Sequence, residues 1–153
     1  YSRLMAKGAG ANVKGIFGST NWHWSLQDEG SKAFVQSFGT KYGFPPSQAA
    51  HTCYVQALLY ADAVERAGSF APCAVGEARK DFEFDGMGNG PTLYRGDDHQ
   101  CFKDVLVVKG KENPTSEFDL LEIVEVTPVD QVTYAPDHPQ FAGGSLGSCN
   151  NGA

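Results

Sequence analysis

A chain of 153 residues, 41% apolar and 20% charged, is long enough to bury one domain-sized core and too apolar for a disordered class. The formal charge is -6, with 18 acids against 12 bases and no basic run longer than two residues, so a nucleic-acid footprint is excluded and anionic membranes are disfavoured as partners. No apolar run reaches the length of a membrane span.

In chain order, Tyr1 to Lys7 reads as the last turns of a helix stopped by Gly8 and Gly10. Val13 to Phe17 follows as a short strand, and Gly18 to Asn21 as a loop leading into Trp22, His23 and Trp24. The next helix spans Ser31 to Tyr42, with Phe34, Val35, Phe38 and Tyr42 as its inward stripe and Gly43 as its stop. The best-specified element covers His51 to Ser69. Pro45 and Pro46 precede it, Ser47 is its expected N-cap, Arg66 lies in its last turn and Gly68 ends it. Ala50, Cys53, Tyr54, Ala57, Leu58, Ala61 and Val64 make one face at helical spacing, predicted to point inward.

Cys73 to Lys80 is a short helix of weak periodicity, and Asp85 to Gly90 a glycine-rich turn or hairpin loop with no phosphate-loop pattern. Pro91 to Arg95, Val105 to Lys109 and Asp119 to Val126 are strands. The four apolar residues from Val105 suit burial on both faces. The tail from Thr127 carries Pro, Gly and polar residues without periodicity and is expected to be irregular. Helices alternating with strands give an α/β class, although the strands between the early helices are too few for a full parallel sheet.

Asp97, Asp98 and His99 form the most enzyme-like cluster. Joined by His138, the Asp97 and His99 side chains are a candidate metal or metal-dependent hydrolytic site, against a bland reading as a polar hinge or turn. No nucleophile elbow is present, and no activating signature surrounds a cysteine, so catalytic residues are not assigned. Trp22, His51 and Tyr54 read better as a binding surface: rings with a polar edge supply area and a hydrogen bond to a small ligand. Cys53, Cys73, Cys101 and Cys149 are widely spaced with no CxxC pair. That pattern suits one or two disulfides in an oxidising compartment rather than structural zinc, with all three pairings open.

Four segments in this order and spacing carry a resemblance: Ile16 to Trp22, Ala61 to Ser69, Leu93 to Gln100, and Val105 to Lys111. Together they resemble the C-terminal portion of periplasmic substrate-binding proteins of ABC transporters, of the branched-chain amino-acid type. The resemblance implies a type I periplasmic-binding-protein fold, two α/β lobes closing on a ligand, of which this chain supplies the C-terminal part of both. On that reading residues 1–22 end the second lobe, 23–100 complete the first, 101–126 return to the second, and 127–153 form the tail. It implies a non-enzymatic role without cofactors. A small polar solute, an amino acid or a related amide or carboxylate, would bind in the cleft, with His51, Tyr54 and Trp22 as its contacts. It further implies a periplasmic location, an inner-membrane ABC permease and the N-terminal portion of the same protein as partners, and a chain shortened by processing or truncation before Tyr1. Cys73 with Cys101 is the favoured disulfide, leaving Cys53 and Cys149 as a second pair.

Overall fold

In the computed structural model, which describes residues 2–139 and 149, the first departure from expectation comes early. Helix α1 (Arg3–Ala9) has its own N-cap, the Ser2 hydroxyl accepting from the Met5 amide, and it runs through Gly8 to end at Gly10. The strand expected over Val13 to Phe17 is displaced: a 3₁₀ turn (Gly10–Val13) takes its first residue, and β1 (Phe17–Thr20) starts at its last and runs through the segment expected to be a loop. The physical reason is non-local. β1 pairs antiparallel with β5 (Val105–Gly110), from Phe17 against Lys109 to Thr20 against Leu106, and neighbouring sequence carries no trace of that partner.

β5 pairs on its other side with β6 (Leu121–Thr127), again antiparallel, with a bulge between Val107 and Val108. The sheet order is therefore β1-β5-β6. Burial in β5 alternates: Leu106 and Val108 are fully buried, while Val105 and Val107 are only half-buried. The expected burial on both faces does not hold, because antiparallel pairing leaves one face without a covering layer here. Ala6, Val13, Leu106, Val108 and Leu121 make the first core, with Leu26, Leu120 and Ile123 packed against it.

Helix α2 (Glu29–Tyr42) starts on the Asp28 carboxylate, which accepts from the Ser31 amide at 2.8 Å, and stops at Gly43 in the left-handed region. Of its expected stripe, Phe34 is buried, Val35 and Phe38 are half-buried, and Tyr42 is exposed. Helix α3 (Gln48–Ala67) has the predicted caps, Ser47 accepting from the Ala50 amide and left-handed Gly68. Its inner face is not the predicted one. His51, Val55, Leu59 and Ala63 are buried, whereas Cys53, Tyr54, Ala57, Leu58 and Ala61 face outward.

Val55 and Leu59 pack on Tyr94 in the second core, with Phe82, Phe84 and Met87 alongside. That core lies between α3 and the second sheet, ordered β2-β3-β4: β2 (Phe82–Phe84), β3 (Thr92–Tyr94) and β4 (Cys101–Phe102), all antiparallel. The glycine-rich segment is the loop of the β2–β3 hairpin, as read. Helix α4 (Pro72–Arg79) packs against α3, and α5 (Val129–Val132) is a single turn within the segment expected to be irregular. Residues 133–139 are turns and irregular backbone, as expected, and beyond them only Cys149 is among the described residues. Among the described residues no helix is long and apolar enough to cross a membrane.

The thiol pairing is corrected. Cys73 at the start of α4 bonds to Cys149, with their Cα atoms 5.4 Å apart, inside the reach of a disulfide. Cys53 and Cys101 are free and accessible on α3 and β4.

Candidate functional site: the junction between the two cores

Two connections join the cores: residues 21–28 between β1 and α2, and Lys103–Asp104 between β4 and β5. The hairpin loop 85–91 holds them together. The buried Asn89 amide nitrogen donates to the Asn21 carbonyl at 2.7 Å and to the Asp104 carbonyl at 2.8 Å. Asn89 takes a left-handed backbone, which asparagine tolerates better than most residues. Its role escaped the sequence reading. The available signal was an asparagine flanked by glycines in a turn, which is common enough to be uninformative alone.

Trp22 and His51 do meet at this junction, but with each other. Their rings stack with centroids 4.3 Å apart, and they are 1% and 2% exposed. The Trp22 indole N–H donates to the Ser31 hydroxyl at 2.9 Å. His51 Nε2 lies 2.6 Å from the Met87 carbonyl, an acceptor only, so Nε2 carries the proton and donates. Burial pushes the His51 pKa down to about 4, and the nearby Lys103 charge pushes the same way against the Met87 carbonyl and Asp28. A side chain on Gly88, whose φ is +96°, would run into Ser31 and Trp22, so the loop can approach the stack only as glycine. The expected role of Trp22 and His51 as direct cleft contacts therefore meets their burial; they are packing at the junction.

Tyr54 differs. It is 43% exposed and stacks on Phe34 at 4.6 Å, and Phe34 in turn meets both Trp22 and His51 edge-on. Behind His51 a small cavity of about 40 Å3 is lined by Asn21, Thr52, Gln56, Cys101 and Lys103, large enough for ordered water. Burial lowers the Lys103 pKa, and its ammonium donates to the Gly88 carbonyl at 3.1 Å. His23, also buried, is pushed to about 4 mainly by desolvation, and its Nδ1 accepts from the Ser25 amide.

The alternative metal site does not assemble. Among the described residues no three His, Cys, Asp or Glu side chains could hold a metal ion. Asp98 is committed to the Arg95 guanidinium and to the Gln100 amide, His99 has a left-handed backbone, and His138 packs on Tyr134. The cluster at 97–99 is the polar turn of the bland reading.

The comparisons with known proteins agree with this architecture. No curated protein matches the sequence. Among solved structures, a periplasmic binding protein from Burkholderia mallei is 22% identical with a TM-score of 0.74, over 88% of this chain and 36% of that one. A branched-chain amino acid ABC transporter periplasmic ligand-binding protein from Burkholderia xenovorans is 26% identical with a TM-score of 0.71, over 84% and 35%. A leucine binding protein from Thermotoga maritima is also 26% identical, with a TM-score of 0.67 over 84% and 35%. The chain thus spans about a third of the length of the structures it matches. The model of the family described as periplasmic binding protein matches residues 1–115, so the chain, with its two cores joined at a stitched junction, belongs to the periplasmic binding protein family.

Proposed function

We propose that this chain is part of the solute-binding component of an ABC uptake transporter. It would act in the periplasm without catalysis and deliver a small polar solute to an inner-membrane permease. The observation that carries the reading is the pair of separate cores bridged by two connections that one side chain, Asn89, ties together. Such a junction lets two bodies close about a ligand, and contacts to both bodies then shift the population to the closed form.

The solute lies against the start of α3. Tyr54 offers the exposed ring there, and Trp22 and His51 form the wall behind it. The rest of the receptor, which this chain's length leaves to another portion of the protein, supplies the opposite contacts. An amino acid or a related amide or carboxylate suits a ring beside polar groups. The test is calorimetric titration of the full-length receptor with L-leucine and a panel of amino acids. A bound solute whose affinity falls roughly tenfold with Tyr54→Ala is expected. Unchanged affinity in that variant, or no binding across the panel, would sink the reading.

A further inference from the structure

The residue that ties the two cores together is followed directly by glycine: Asn89, then Gly90. That pairing has its own chemistry. Glycine has no Cβ to shield its backbone nitrogen, so the nitrogen can reach the side-chain carbon of a preceding asparagine. It gives its proton to solvent base and attacks Cγ. The new N–Cγ bond closes a cyclic imide, and the Cγ–Nδ2 bond breaks to release ammonia. Water then opens the imide at either carbonyl, leaving aspartate or isoaspartate.

The fold keeps Asn89 from this reaction. Its Nδ2, the leaving group, donates to the Asn21 and Asp104 carbonyls at 2.7 and 2.8 Å. Turning Cγ onto the Gly90 nitrogen means leaving both. The residue is 6% exposed, which keeps base and water away. Asp85 and Gly86, at the start of the same loop, have the opposite arrangement. Both are exposed, and the Gly86 N–H donates to Asp85 Oδ1 at 2.6 Å.

An aspartate at position 89 could not remake the tie. A carboxylate has no donor, so its oxygens would face two carbonyl oxygens. The Asp104 carboxylate already stands beside Gly90, with Oδ2 3.0 Å from where a side chain there would begin. A buried charge among acceptors is costly enough to expel the side chain.

We propose that Asn89 is a deamidation site gated by the junction: protected while the tie is made, converted when it opens, and unable to remake the tie afterwards. The junction geometry carries this whether or not the chain binds an amino acid.

The chain has a second Asn-Gly pair, Asn151 and Gly152, so products are located by peptide mapping. The chain is aged in warm, mildly alkaline buffer, both native and unfolded in guanidinium chloride. Asn89 is expected to convert roughly tenfold to a hundredfold more slowly in the native chain. Gly88→Ala, whose methyl would press on Ser31 and on Trp22 Nε1 at 3.0 Å, is expected to raise the folded-state rate severalfold and leave the unfolded rate unchanged. If that variant does not fold, exchange of the wild-type Asn89 side-chain amide protons decides, slow exchange being expected. Asn89→Asp, the product, is expected to shift tryptophan emission to the red and lower the urea midpoint, failure to fold being the extreme of the same result. Equal native and unfolded rates, or no conversion at Asn89 even when unfolded, overturn the gated site. So does a Gly88→Ala chain that folds and converts no faster than wild type, or fast exchange of the Asn89 amide. An Asn89→Asp chain with wild-type emission and midpoint overturns the broken tie.

Discussion

Two histidines of this chain are held neutral by burial, and each puts a cost on acid. His51 and His23 both sit near pKa 4 in the folded chain, against 6.5 when exposed. Between those values the unfolded chain binds protons that the folded chain refuses. Stability is therefore fully present above about pH 6.5 and is lost as pH falls toward 4. The shift converts to roughly 3 kcal/mol for each histidine at the bottom of the window. Urea unfolding at several pH values between 7 and 4.5 should show the midpoint falling throughout that range. Asp28, whose carboxylate is held down by the Ser31 bonds it accepts, adds its own loss only below the carboxylate range. A flat midpoint from pH 7 to 5 would mean that the Trp22–His51 stack is open to water in solution.

At the scale of elements, α3 separates what its sequence states from what it leaves open. The caps were readable because Ser47 and Gly68 act on backbone groups a few residues away. The face was not, because Cys53, Ala57 and Leu58 are as apolar a set as Val55, Leu59 and Ala63, and the deciding contact is polar. Once the Met87 carbonyl accepts from His51, the whole helix must turn that side inward. β1 failed for the same reason, its partner lying most of the chain away. The gathering of Trp22, His51 and Tyr54 around Phe34 was legible in residue identity, but the burial of Trp22 and His51 was not, since it depends on the hairpin loop that closes over the stack. Adjacent leucines test the orientation. Leu59 is 3% exposed and Leu58 is 40% exposed. Leu59→Ala should cost about 2–5 kcal/mol and Leu58→Ala less than about 1 kcal/mol by chemical unfolding of this chain. The reverse order would restore the face that periodicity alone selects.

For the molecule as a whole, the question is what holds so open an arrangement together. Each sheet has three strands and two edges, and neither core is large. The Asn89 side chain fixes the junction by two bonds to backbone carbonyls, 68 and 15 residues away in sequence. A covalent tie is added by the disulfide between Cys73 and Cys149, which closes a loop of sequence separation 76. Restricting the unfolded chain over a loop of that length stabilises by about 4 kcal/mol in the chain-entropy account. Alkylation of the native chain without reductant should add two groups, at Cys53 and Cys101, and reduction should expose two more while lowering the urea midpoint. Four alkylated thiols before reduction would refute the bond. Two adducts with no change in stability on reduction would locate the stability in the two cores and their stitched junction instead, which would make the covalent tie dispensable to the fold.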